Sequence, residues 1–212
     1  MLDHRPPARR PDGKLELVTT YLELRTPPRH PRVSITGRTL ALVHAKRPPL
    51  HFYRYLYHTV GAPYLWWQRR ALSDEALASI IHDERVHVLV LQVDGVPAGF
   101  AELDRRSSAN VRGDVRGTVR LSCFGLVPEF VGQGLGLPFL SRVLDHAWQQ
   151  DDVERIVVHA HSTDHPRALL VYQRVGFAPY DVVREEFDDP RDRGLFPEFA
   201  PIERAPTVPD DA

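Results

Sequence analysis

The chain is poor in cysteine, with a single one, Cys123, in 212 residues. An internal disulfide and a multi-cysteine zinc site are therefore excluded, and the usage fits a reducing compartment. No window approaches the ~20 apolar residues needed to span a bilayer. The opening Met1-Leu2-Asp3-His4-Arg5-Pro6-Pro7 carries charge with no apolar stretch behind it, so a signal peptide is not expected. An excess of one charge is also missing. The 27 basic and 28 acidic residues leave a net charge of −1, with no basic surplus to neutralise nucleic-acid phosphates. There is no internal repeat. These absences point to a soluble, cytoplasmic protein with neither nucleic acid nor membrane among its partners.

What is present is an ordinary globular composition, 42% apolar and 26% charged. The length suits one domain with tails, and such a domain buries a sizeable core unaided. Residues 1–14 are rich in Pro and Arg, lack periodicity and read as a mobile tail. Residues 188–212 are rich in Pro and Asp and read as a C-terminal extension. Its piece Gly194-Leu195-Phe196-Pro197-Glu198-Phe199 is a candidate to pack back on a domain spanning residues 15–187.

Within that domain the pattern alternates. Strands are expected at Leu15–Leu24 and Thr39–His44, the first rich in Val, Thr and Tyr. His51–Val60 and Leu65–Ile81 read as helices, the latter with capping-type residues at Ser73-Asp74-Glu75. Val86–Val93 and Pro97–Asp104 flank Asp94-Gly95, a hairpin turn signal. Gly117–Leu126 is a strand, and Leu137–Trp148 is a helix with Leu140, Val143, Leu144 and Ala147 on one face. Arg155–Ala160 is a strand, Pro166–Val175 a short helix opening on proline, and Tyr180–Phe187 a last strand. The order predicts an α/β domain with a mixed sheet.

The central feature joins a strand to a helix: Phe124-Gly125-Leu126-Val127-Pro128-Glu129-Phe130-Val131-Gly132-Gln133-Gly134-Leu135-Gly136-Leu137. Glycines let backbone N–H groups turn toward an anion, and a helix start adds partial positive charge. The pattern implies a ligand carrying phosphate. It is not a Walker loop, because no Gly-x4-Gly-Lys-Ser/Thr string exists. Nor is it a dinucleotide fingerprint, because the glycines at 132, 134 and 136 have the wrong spacing, and Ile156 and His159 occupy the region where an acidic residue is wanted.

One strand later comes Asp164-His165-Pro166-Arg167-Ala168-Leu169-Leu170-Val171-Tyr172-Gln173-Arg174-Val175-Gly176-Phe177. The first segment resembles the Arg/Gln-x-x-Gly-x-Gly/Ala diphosphate loop of the GNAT superfamily, the acyl-CoA N-acyltransferases. Gly134 and Gly136 take the two glycine positions, and Val131 departs from the Arg/Gln position. The second resembles that family's Asn-x-x-Ala-x-x-x-Tyr-x-x-x-Gly-Phe motif, with Asp164 near the Asn, Ala168 aligned, and Tyr172, Gly176 and Phe177 in place. The resemblance covers residues 86–187 well and residues 15–85 only in element order.

It implies a GNAT-type fold, a mixed and mostly antiparallel central sheet flanked by helices. It also implies acetyl transfer from acetyl-CoA, the co-substrate, directly to a primary amine, with no metal. The expected CoA-binding residues are Phe124, Gly125, Leu126, Val127, Val131, Gly132, Gln133, Gly134, Leu135, Gly136, Leu137, Asp164, Ala168 and Tyr172. In the family, N–H groups on a splayed strand, here Phe124–Val127, polarise the carbonyl. Tyr172 is the candidate acid for the departing thiolate, its ordinary pKa of ~10 lying above the ~8.5 of a thiol. Glu102 and Glu129 are the candidate bases. Glu102 lies among Phe100, Ala101 and Leu103, which suggests burial or alternatively a solvent-facing strand position; Glu129 adjoins the loop.

The other notable residues have plainer readings. His159, His161 and His165 are read as structural or surface histidines, and Cys123 as a buried thiol. The aromatic stretch through Tyr53, Tyr57, Tyr64, Trp66 and Trp67 is part core and part acceptor wall. The acceptor is a small-molecule amine or a protein lysine or N-terminus, and a homodimer is left open. The rival class is a non-catalytic acyl-CoA-binding or regulatory domain.

Overall fold

The structure is a computed structural model and describes residues 9–28, 37–106 and 117–197. Residues 1–8 and 198–212, which include most of the expected tail and the end of the expected extension, lie outside the described residues. The strands are β1 (Leu15–Leu24), β2 (Leu40–His44), β3 (Val86–Val93), β4 (Val96–Asp104), β5 (Thr118–Leu126), β6 (Arg155–His161) and β7 (Ala178–Phe187). The helices are α1 (Leu50–Gly61), α2 (Asp74–Ile81), α3 (Gly136–Trp148) and α4 (Ala168–Arg174).

The strands form one seven-stranded sheet in the order β2-β3-β4-β5-β6-β1-β7. Every neighbouring pair is antiparallel except β5–β6. That parallel pair is joined by α3, the crossover that parallel strands require. This is the expected α/β architecture with a mixed, mostly antiparallel sheet.

Alternation along the strands sends side chains to two faces. On one face α1 and α2 pack Tyr53, Leu56, Val60, Leu77 and Ile81 against Val88, Val90 and Phe100. On the other, α3 and α4 pack Phe139, Leu140, Val143, Leu144, Tyr172 and Val175 against Leu89, Leu91, Leu121, Ile156 and Val158. A third cluster joins Leu15, Leu65 and Phe196, so the Gly194–Pro197 piece does meet the domain. At the other terminus, Arg9 pairs with Asp189 and Asp192 at 2.7 Å each, which ties the described start of the chain to the segment after β7.

One expected element is shorter than its sequence pattern. The helix read over Leu65–Ile81 begins only at Asp74, where the Ser73 side chain accepts the Ala76 N–H at 3.2 Å. Leu65 has a left-handed backbone, φ 54°, which stops the chain from continuing as a helix from α1. Its apolar residues serve packing rather than helix periodicity: Trp66 folds back so that a Cβ on Gly61 would meet its ring at 2.7 Å.

Gly125 shows a similar close approach. A Cβ there would stand 2.4 Å from Val60 Cγ1, so glycine lets α1 lie directly on β5. Gly125→Ala should destabilise the fold by about 1–3 kcal/mol through overpacking. Val60→Ala in the same chain should recover part of that loss, as read by urea unfolding of the single and double variants.

Candidate active site

The site begins where the sheet divides. β5 and β6 pair only over Thr118–Leu121 and Arg155–Val158. Beyond that point β5 keeps its partner β4 through Leu126, and β6 keeps its partner β1 through His161. Between the diverging ends lies a cleft of about 700 Å³, lined by Ser122–Leu126 on one side and His159 and His161 on the other. Backbone groups of β5 that would have faced β6 have no strand partner there, and a ligand can take them.

At the mouth stands the start of α3. Val131, Gly132, Gly134, Leu135, Gly136 and Leu137 line the cleft. Gly132 and Gly134 have positive φ, 82° and 76°, and a Cβ at residue 132, 134 or 136 would meet nothing within 4 Å. The turn therefore faces open space. α3 carries no side-chain cap and no acidic residue in its first turn. Its first N–H groups and the positive end of its dipole are thus left to an anion. These features fit the diphosphate of a CoA thioester. Val131 shares the wall, but its N–H donates to the Pro128 carbonyl at 3.2 Å.

Two expected CoA-binding residues stand off the cleft wall. The Val127 N–H donates to the Ala98 carbonyl at 2.9 Å, and its side chain is buried beneath α1. The N–H groups available for a carbonyl oxygen are therefore those before it. Gln133 is exposed, accepting from Arg38 at 2.5 Å and donating to the Glu129 carbonyl at 2.5 Å.

Tyr172 lines the cleft from α4, with rings of Phe124 and Phe177 at 6.1 and 5.9 Å. Burial, and then the charge of Asp164, push its hydroxyl pKa above the usual value, so it holds its proton at neutral pH. Gly176, φ 102°, ends α4 as the sequence suggested, and the Phe177 N–H returns to the Tyr172 carbonyl at 3.2 Å. Ala168 lines the same wall. Asp164 sits in the turn after β6, where one oxygen accepts the His161 N–H at 2.8 Å and the other the Trp66 indole N–H at 3.4 Å.

The two glutamates expected as bases do not line the cleft. Glu129 is exposed on a single 3-10 turn, Pro128–Phe130. Glu102 is wholly buried, which settles its face, and both its oxygens are engaged: it accepts from the Tyr53 hydroxyl and, at 2.5 Å, from Arg69. Burial is the largest single influence and works against the Arg69 charge, but Glu102 together with Tyr53 and Cys123 raises the Arg69 pKa overall. Burial, then Glu102, raises the Tyr53 pKa. Arg69 lines the cleft, so Glu102 reaches the site through it. Sequence reasoning missed Arg69; its only signal is a position just after the Trp66-Trp67 pair.

The rest of the wall is aromatic and basic. Tyr57, Tyr64, Trp66 and Trp67 line it, with the Tyr57 and Trp66 rings 5.5 Å apart. Arg167 and Arg174 stand on the α4 side, where they suit phosphate. His159, packed 4.4 Å from the Tyr21 ring, has its pKa lowered to about 4 by burial and by Arg120, so it is neutral. Cys123 is buried, and its thiol pKa is raised by burial and then by Glu102, which leaves it unsuited to act as a nucleophile.

A sheet split between its two parallel strands, with a glycine-turned helix start at the mouth, is the arrangement that the resemblance to the GNAT superfamily implied. The family described as "Acetyltransferase (GNAT) domain" matches residues 66–188, more than half of the chain. The chain belongs to that family. A GCN5-related N-acetyltransferase from Kribbella flavida is 16% identical, with a TM-score of 0.50 over 84% of this chain and 60% of that one. Another, from Sphaerobacter thermophilus, is 17% identical, with a TM-score of 0.52 over 86% and 52%. An aminoglycoside acetyltransferase from an uncultured soil metagenomic sample is 14% identical, with a TM-score of 0.51 over 65% and 87%. These likenesses show the fold. The chain spans only about half to three fifths of the Sphaerobacter and Kribbella proteins.

The Glu102–Arg69 pair should act as one unit. Glu102→Ala should cost about 3–5 kcal/mol, because it leaves a guanidinium largely buried without its carboxylate. Glu102→Gln combined with Arg69→Met should cost clearly less than the sum of the two single changes. Denaturant unfolding of the four proteins measures the coupling.

Proposed function

We propose that this protein transfers an acetyl group from acetyl-CoA to a primary amine. The observation that carries the reading is one continuous cleft. It runs from an uncapped, glycine-turned helix start, past unpaired backbone of β5, to a buried tyrosine that keeps its proton. Bound acetyl-CoA supplies an acyl group activated as a thioester.

The chain's own residues divide the work. Backbone N–H groups around Gly132–Leu137 hold the diphosphate, with Arg167 and Arg174 near enough to add charge. N–H groups of β5 at Phe124–Leu126 receive the carbonyl oxygen as negative charge grows on it. Asp164 takes a proton from the incoming ammonium, a role that suits it better than Glu102 or Glu129 because it lines the cleft. The new C–N bond forms as the C–S bond breaks, and Tyr172 donates its proton to the leaving sulfur. The amine's remaining excess proton and the one held by Asp164 pass to solvent, which also restores Tyr172.

Tyr57, Tyr64, Trp66 and Trp67 suit a cationic amine, since aromatic faces attract cations. The aminoglycoside acetyltransferase of similar fold makes aminoglycosides one acceptor class to test beside amino acids, polyamines and lysine peptides. Release of CoA thiol above the no-acceptor rate with one of these classes is the expected result. Gly134→Asp should abolish that release and CoA binding together, by placing negative charge at the diphosphate. Binding of acetyl-CoA with silence across the whole panel would favour a non-catalytic acyl-CoA-binding domain.

Tyr172→Phe separates chemistry from binding. It should lower kcat by about 10²–10⁴-fold while the Kd for acetyl-CoA, read by calorimetry, stays within about twofold. Equal turnover in the two proteins would remove Tyr172 from the mechanism.

A further inference from the structure

Far from the cleft, three histidines from three elements meet. Among the described residues, His44, His87 and His146 form the one group of potential metal ligands whose donor atoms all lie within 4.8 Å of one another. The register of the sheet explains the meeting. His44 on β2 pairs with Leu89 on β3, and His87 lies two residues before Leu89, so both rings leave the same face of the sheet. That face is the one α3 covers, and His146 lies in the last turn of α3. The His87 Nδ1 and His146 Nε2 are 2.9 Å apart, and the His44 and His87 ring centroids are 4.5 Å apart.

We propose that His44, His87 and His146 bind one divalent transition-metal ion of the zinc type, with water completing the coordination. The donor set argues for the class of ion. Imidazole nitrogens suit Zn, Cu, Fe and Ni, whereas Mg and Ca seek carboxylates and carbonyls, and none of the three ligands is an oxygen. Three histidines and an open fourth position are an arrangement zinc accepts, at Zn–N distances of about 2.0–2.1 Å. Those distances put tetrahedral nitrogens roughly 3.4 Å apart, so small side-chain rotations close the gap. The ion would replace the His87–His146 hydrogen bond as the link between them.

Two further observations support the site. All three residues are half-buried, which leaves an ion a way in. The Glu84 backbone also hydrogen-bonds His87, the kind of outer partner that orients a metal-ligating ring. The ligands join edge strand β2 and strand β3 to the end of α3, so the bound ion staples the sheet edge to its covering helix. It stands apart from the acyl-transfer site and takes no part in that chemistry.

The test uses the full chain, stripped with a chelator and titrated with zinc chloride by calorimetry. One equivalent should bind and raise Tm. His87→Gln and His146→Gln should each weaken binding by at least about tenfold. The double change His159→Gln/His161→Gln, at the cleft histidines, should leave it unaltered. In the unmodified protein, zinc should shift the ring-nitrogen NMR signals of His44, His87 and His146, which keeps the test valid if a variant misfolds. No binding, binding unaffected by His87→Gln and His146→Gln, or ring shifts confined to other histidines would overturn the proposal.

Discussion

The structure turns on a single pairing that stops early. β5 and β6 share four residue pairs and then part, while each stays bonded to its outer neighbour. The divergence is therefore held by two half-sheets and not by a flexible loop. A strand edge buried in a sheet cannot leave its polar groups unpaired without cost. Opening the sheet to solvent in one place creates a row of fixed N–H and carbonyl groups that face the cleft. Side-chain identity at Ser122–Leu126 then matters less than strand position. Val131 stands where the family pattern has Arg or Gln, and the donors around it belong to the main chain and to the start of α3.

Beneath one wall of the opening lies the Tyr53–Glu102–Arg69 cluster. It draws on α1, β4 and the irregular segment between α1 and α2, three parts of the chain distant in sequence. A buried ion pair adds little net stability, because desolvation offsets most of the attraction. Its consequence here is positional. Arg69 cannot leave Glu102 without stranding a charge, so the segment carrying Trp66 and Trp67 is held against the cleft. Glu102 thus influences the aromatic wall of the cleft without touching it.

Much of this could be read in the sequence, for identifiable reasons. Strand and helix periods, the Asp94-Gly95 turn and the helix-ending Gly176 are local signals, and each marks an element that the fold contains. The glycine loop and Tyr172 were legible because backbone-anion chemistry and the helix end impose fixed spacing. The segment from Leu65 to Ser73 misled, because apolar residues drawn toward Gly61 and the cleft resemble a helical stripe. Glu102 stood out in the sequence, but its apolar neighbours left burial and a solvent-facing position equally open, and the partners that settle it, Tyr53 and Arg69, lie 49 and 33 residues away. No local pattern encodes such pairings. The same blindness applied to histidine: His159 and His161 drew attention by adjacency, whereas His44, His87 and His146 come together only through strand register and helix packing.

Helix α3 connects these two regions, and its own electrostatics suit both. Its 13 residues rise about 20 Å, from the glycine turn at the cleft to His146 at the sheet edge. The aligned peptide dipoles place partial positive charge at the first turn and partial negative charge at the last. An anion is favoured where Gly136 and Leu137 present free N–H groups, and a cation where His146 sits in the closing turn. The apolar stripe between, Leu140, Val143, Leu144 and Ala147, is fully buried and fixes the helix to the sheet. A helix anchored along its length presents each end at a set place. The glycine turn and the histidine cluster are thus opposite termini of one dipole.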